Sequence, residues 1–225
     1  MIKAVIFDYG GTLAESNTSW NDVSEKAVEC LSLDGIDVKA IDFQNAIMDT
    51  VEWRRTIHTE GREADSHEFF NHALGILGHS AGRDATDELE MYVYEAGETE
   101  WLADLDALLP SLSENYKIAL LSNAWLEAPR QTLRDKGYGR WFDVMVCSYD
   151  IKISKPDPRI FQHTLNLLEV DASEAVMVGD SIKADIEGAI NAGLEAIWVD
   201  DEGTGEWKGH TVKNISDLPE MLKKI

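Results

Sequence analysis

Cysteine is scarce: Cys30 and Cys147 are the two in 225 residues, far apart, so no disulfide framework organises the chain. The amino terminus shows no basic, apolar, small-residue leader, and the expected setting is reducing and cytoplasmic. Long hydrophobic runs are missing too. No window approaches the roughly 18 uninterrupted apolar residues of a membrane helix, so no membrane partner is expected. Positive charge is in short supply, with 20 Lys and Arg against 42 Asp and Glu and a net charge of −22. Such a surface lacks the basic footprint that nucleic acid requires, although local positive pockets can survive within it. No internal repeat or low-complexity tract interrupts the chain.

What is present is ordinary globular composition, 44% hydrophobic and 28% charged, enough for one core with a smaller appended domain. Short runs of Val, Ile and Leu mark strands covered on both faces, as in a parallel sheet. They fall at 2–7, 117–122, 142–148, 175–179 and 195–199, with a sixth candidate at 211–215. Helical patterns near 125–136, 157–169 and 182–192 alternate with the later strands. That series predicts an α/β fold, a doubly wound, Rossmann-like parallel sheet. Residues 17–102 break the rhythm, with no convincing strand and helical periodicity at 20–33, 38–58, 65–78 and 84–97. The expected domains are therefore a core of 1–14 and 103–225 and an inserted all-helical domain of 15–102.

Ligands of an open α/β sheet sit beyond the carboxyl ends of its strands. Asp8 ends the first strand, Ser122 and Asn123 the second, and Gly179, Asp180 and Ser181 a later one, while Lys155 stands in SKPDP before a helix. Each also suits a structural role. Asp8 before Gly-Gly-Thr fits an Asx turn, Ser122 a helix cap, Lys155 an exposed loop cation and Asp185 a helix amino terminus. Their joint arrival at one sheet edge points instead to phosphoryl transfer through a carboxylate. Asp8 attacks phosphorus to give an aspartyl phosphate that water then cleaves. A divalent cation held by Asp8, Asp180 and a backbone carbonyl bridges the two anions, and Mg²⁺ suits so few carboxylates. Lys155 neutralises developing charge, while the Ser122 hydroxyl and the amides of the glycine-rich turn at Gly11 and Thr12 donate to phosphoryl oxygens.

Four spaced motifs resemble the haloacid dehalogenase-like hydrolase superfamily: FDYGGTL at 7–13, LLSN at 120–123, KISKPDPRIF at 152–161 and GDSIKADIEGAINAG at 179–193. The resemblance implies Asp8 as nucleophile, Ser122 and Asn123 at the phosphate, Lys155 as the stabilising cation, and Asp180 with Asp185 around Mg²⁺. It also implies that the insertion is a helical cap. The chain departs from the family where most of its phosphatases carry a second aspartate, two residues after the nucleophile. Gly10 stands there, able to offer a carbonyl to the metal and unable to move a proton. Losing a positioned acid/base forfeits roughly 10²- to 10⁴-fold in rate.

Three readings follow. One is a Mg²⁺-dependent phosphatase of a small phosphorylated metabolite, its proton carried by Glu15, a residue of the inserted domain or water. The second is metal-independent carbon–halogen hydrolysis, against which the acidic pair Asp180 and Asp185 weighs. The third is a regulatory protein that binds phosphate and metal with little turnover. A phospho-receiver is excluded by length and by the inserted helices. Within WRRTIHTEGR at 53–62, Arg54, Arg55 and Arg62 concentrate positive charge. They suit a substrate carboxylate or second phosphate, or equally a solvated helix face paired with acids such as Glu52. The spacing of His67, His72 and His79 argues against a metal site. GTGEWKG at 203–209 reads as a loop and Cys147 as a buried core residue.

Overall fold

The computed structural model describes residues 1–225, and the chain divides into two compact units, 1–15 with 100–225 and 16–99. In chain order the strands are β1 (Ala4–Phe7), β2 (Ala14–Thr18), β3 (Gly97–Trp101), β4 (Lys117–Ser122), β5 (Val144–Cys147), β6 (Ala175–Gly179), β7 (Glu195–Val199) and β8 (His210–Val212). The helices are α1 (Trp20–Leu33), α2 (Ala40–His58), α3 (Ser66–Ile76), α4 (Arg83–Glu95), α5 (Leu105–Ser113), α6 (Ala128–Asp135), α7 (Pro158–Leu168), α8 (Gly188–Asn191) and α9 (Leu218–Leu222).

The larger unit is an α/β domain whose six strands run parallel in the order β5-β4-β1-β6-β7-β8. Its central strands are continuously apolar because both faces are covered: all of β1 and β6 is buried, and only Lys117 of β4 is exposed. Alternate residues divide between the faces, as the pleat requires. Val5, Phe7, Ile118, Leu120, Val176 and Val178 pack with Leu108 and Leu109 of α5 and Leu133 of α6. Ala4, Ile6, Leu121 and Met177 pack with Ile160, Phe161 and Leu165 of α7 and with Ile186. From β1 the chain builds outward through β4 and β5, then returns to lay β6 on the other side of β1. The order therefore reverses around β1, and the carboxyl ends of β1, β4 and β6 lie side by side.

The smaller unit consists mainly of α1 to α4 around a core that includes Val23, Leu31, Phe43, Ile47, Phe69, Phe70, Leu74 and Leu89. Two of its starts are capped by side chains: Ser19 accepts from the Asp22 amide at 3.4 Å and Asp65 from the Glu68 amide at 2.8 Å. It spans 16–99, against the expected 15–102.

Three features correct the sequence reading. β2 and β3 pair as a two-stranded ribbon, where no strand is expected after residue 17 and a helix is expected to reach 97. Their sequences, AESNT and GETEW, are polar and mostly exposed, so their signal is backbone pairing rather than apolar pattern. Helix α5 is unanticipated. The helix expected at 182–192 begins as a π-type turn, Ile182–Glu187, before α8. No helix is long and apolar enough to cross a membrane.

Candidate active site

Strand β1 carries Asp8 to the sheet edge, where its amide donates to Val178 O at 2.9 Å and its carboxylate is half-buried. The chain then turns tightly on one acceptor. Tyr9 O receives the amides of Thr12 at 3.4 Å, Leu13 at 2.9 Å and Ala14 at 3.0 Å, while the Gly11 amide donates to Ala14 O at 3.1 Å. Gly11 has φ +70°, and a Cβ there would lie 2.5 Å from Asp180 Oδ2. Only glycine combines that backbone with so close an approach. The Gly11 and Thr12 amides, expected as phosphate donors, take part in the turn itself. The Thr12 hydroxyl is buried without a partner. Gly10 is exposed, and a Cβ on it would meet nothing within 4 Å.

Lys155 is the centre of the arrangement. It is 2% exposed, and its Nζ donates to Asp8 Oδ1 at 2.8 Å, Asp185 Oδ1 at 2.6 Å and Leu121 O at 2.7 Å. All three ammonium protons have acceptors. Burial alone would lower its pKa, but Asp185 and then Asp8 outweigh it and hold the net shift upward. Asn123 fixes the backbone beneath: its Nδ2 donates to Lys155 O at 2.9 Å and its Oδ1 accepts from Lys155 N at 2.7 Å. Those two bonds turn the Asn123 amide toward Lys155, where the sequence reading has it at the phosphate. Ser122, at the end of β4, is buried.

The end of β6 supplies the remaining acids. Asp185 is fully enclosed, with Oδ2 accepting from the Ser181 amide at 3.0 Å and Ser181 Oγ accepting from the Ala184 amide at 3.2 Å. The π-type turn widens the backbone so that the Asp185 carboxylate folds back to the sheet edge, a device common at functional sites. Room for it comes from Gly179, where a Cβ would lie 2.4 Å from Asp185 Cγ. Burial pushes the Asp185 pKa up, and Lys155 opposes that rise. Asp180 stays partly open to solvent, yet withdrawal from water and the nearby Asp8 charge raise it to about 6. Its carbonyl accepts from Trp198 Nε1 at 2.7 Å. This anchor, contributed by β7, has no local signal in the sequence.

Asp8, Asp180 and Asp185 each offer a carboxylate oxygen, and the three lie within 4.8 Å of one another. An all-oxygen set of few carboxylates, partly open to water, fits a hard divalent cation of the Mg²⁺ kind. Without such an ion, two of these acids have raised proton affinity, as expected where like charges crowd.

The arginines lie in the helical unit, each beside a carboxylate of that unit. Arg54 holds the buried Glu63 through Nε at 2.7 Å and Nη2 at 2.6 Å. Arg55 pairs with Glu52 at 2.6 Å on the surface, and Arg62 donates to Glu68 Oε1 at 2.7 Å while lying over the Trp53 ring. His67 contacts Thr86, and His72 contacts Thr50 and stacks on Trp53; neither joins a carboxylate cluster. Burial pushes the Cys147 thiol up to about 12, far from the thiolate a nucleophile needs. In the 203–209 stretch, Asp200 accepts the Thr204 and Gly205 amides at 2.9 Å each, closing an ordinary loop.

A family model described as haloacid dehalogenase-like hydrolase matches residues 2–193. The chain is 33% identical to a glyceraldehyde 3-phosphate phosphatase of Methanothermobacter thermautotrophicus, covering 99% of this chain and 100% of that one. It is 32% identical to the N-acylneuraminate-9-phosphatase of Rattus norvegicus over 54% of this chain, spanning about half, 52%, of that relative's length. Among solved structures, a 2-haloacid dehalogenase from Pseudomonas syringae superposes with a TM-score of 0.72 at 25% identity, over 100% of this chain and 99% of that one.

Proposed function

Because the chain belongs to the haloacid dehalogenase-like hydrolase family, we propose that it hydrolyses a small phosphorylated metabolite through an aspartyl phosphate on Asp8, with Mg²⁺ as cofactor. The observation that carries this reading is Lys155 bridging Asp8 and Asp185 at 2.8 and 2.6 Å, beside a third acid, Asp180, close enough to share one ion. Asp8, Asp180 and Asp185, with the Gly10 carbonyl, are the groups that would hold Mg²⁺. When bound, the ion supplies the neutralising charge that lets a carboxylate approach a phosphate.

Asp8 supplies the attacking oxygen, oriented by the fixed ammonium of Lys155. That ammonium, sealed from water, is worth more against charge growing on the phosphoryl oxygens than a solvated lysine would be. The Ser122 hydroxyl, buried at the end of β4, donates to a phosphoryl oxygen. Asn123 acts through Lys155 by clamping its backbone. A small metabolite as substrate is supported by the full-length similarity to a glyceraldehyde 3-phosphate phosphatase.

The test is phosphate release from p-nitrophenyl phosphate, acetyl phosphate and a panel of phosphorylated metabolites, with and without Mg²⁺, using Asp8→Asn as blank. Mg²⁺-dependent release that Asp8→Asn abolishes supports the reading. Metal-independent halide release from a 2-haloacid would replace it with dehalogenation, and Mg²⁺ binding without turnover would replace it with a regulatory role.

A further inference from the structure

Gly10 leaves the proposed reaction without a group to protonate the leaving oxygen. Around this sheet edge, Asp8 is the nucleophile, Asp180 faces the cation position, and Asp185 is sealed between Lys155 and the Ser181 amide. One further acid, Glu15, follows this turn in the chain. Gly10 and Ala14 form a bridge pair, reinforced by the Gly11 amide on Ala14 O, so Glu15 directly follows the residue paired with position 10. Bridged backbones lie roughly 5 Å apart, within the span of a glutamate side chain. Glu15 is exposed, and its charge helps to raise the Asp180 pKa. Beside it, the space that a side chain on Gly10 would fill is open.

We propose that Glu15 is the general acid and base of this site, reaching from the return strand into the space left by Gly10. The assignment rests on the phosphohydrolase reading above. As an Asp8 carboxylate oxygen bonds to phosphorus, the bond from phosphorus to the leaving oxygen breaks and the protonated Glu15 gives its proton to that oxygen, releasing an alcohol. The Glu15 carboxylate then takes a proton from water as the water oxygen bonds to phosphorus. The bond from phosphorus to Asp8 breaks, releasing phosphate and restoring both groups.

The leaving group distinguishes this from a structural role. Aryl phosphates expel a stable phenolate and need little protonation, whereas alkyl phosphates need the acid. kcat/KM is compared for p-nitrophenyl phosphate and for alkyl esters such as glycerol phosphate, in the wild type, Glu15→Gln and Glu15→Gln/Gly10→Asp. The expected result is an alkyl-to-aryl ratio lowered about 10²-fold in Glu15→Gln, with a p-nitrophenol burst as the aspartyl phosphate accumulates. The double variant regains the alkyl reaction, since an aspartate at position 10 has open space. Equal losses on both ester classes, no loss on either, or a wild type that cleaves aryl but no alkyl esters would overturn the assignment. Absence of any phosphoenzyme on Asp8 in the wild type would overturn the underlying function, and this assignment with it.

Discussion

Replacing Glu63 by glutamine keeps its shape and removes its charge. The carboxylate is completely buried in the helical unit, where Oε1 accepts from Arg54 Nε at 2.7 Å and the Ala64 amide at 3.0 Å, and Oε2 accepts from Arg54 Nη2 at 2.6 Å. His58 Nε2 lies 2.9 Å from Oε2. Burial by itself would raise the pKa of Glu63. The His58 hydrogen bond and then the Arg54 bonds and charge overcome it and hold the group near 2, down from an ordinary 4.5. At about 1.4 kcal/mol per tenfold change in proton affinity, that difference is worth about 3 kcal/mol of stability. Because the folded pKa is depressed, this contribution is complete above the unfolded value of 4.5 and is lost as pH falls toward 2. Removing one partner of a buried pair costs about 3–5 kcal/mol by the same order of magnitude. Urea denaturation followed by circular dichroism at pH 7, 5 and 3 should therefore find Glu63→Gln less stable by about 3 kcal/mol at pH 7. The gap should narrow below pH 4.5, because the carboxyl of the unfolded wild-type chain then takes up a proton that the folded one, held near 2, still refuses. A gap under about 1 kcal/mol at neutral pH, or one that widens in acid, would refute the reasoning.

Gly179→Ala should disrupt the site from within the sheet, since the added methyl would sit 2.4 Å from Asp185 Cγ; a loss of about 1–3 kcal/mol is expected in urea denaturation, with weaker Mg²⁺ binding by calorimetry. Lys155→Met leaves Asp185 buried and unpaired, so its stability cost should be about 3–5 kcal/mol and should shrink when Asp185→Asn is added; strict additivity in that double-mutant cycle would show that the pair is not coupled. Arg55→Ala removes an exposed pair with Glu52, 71% and 67% open to solvent, and should leave the melting temperature essentially unmoved.

Much of the fold was readable because burial on both faces writes itself into β1, β4 and β6 as unbroken apolar runs. Helix α1 was readable from its helical periodicity. The β2–β3 ribbon was not, because AESNT and GETEW bury little and are held by backbone bonds that any residue can make. Helix α5 carries Leu105, Leu108, Leu109 and Leu112 at helical spacing, but Pro110 in its interior disguises the pattern. Among the site residues, Asp8, Ser122, Lys155 and Asp180 stand out because acids, hydroxyls and cations at strand ends have few structural uses together. The two bonds from Asn123 to the Lys155 backbone, and the tryptophan that holds the Asp180 carbonyl, leave no mark on their local sequence. Each depends on neighbours brought near only by strand order.

By itself the sequence determined that one sheet edge would gather a carboxylate, a hydroxyl, a lysine and two more acids, and that Gly10 would bring no proton with it. Strand-end chemistry and apolar patterning are local properties, fixed by which residues follow one another. Only the tertiary structure decided that Lys155 is sealed between two carboxylates and a carbonyl, that Arg54 is committed to a buried glutamate, and that the chain returns at Ala14 to pair with Gly10. Distances of 2.6–2.8 Å around a single ammonium join residues from four segments of the chain. Such proximity is set by the packing of the whole sheet and is written in no one of them.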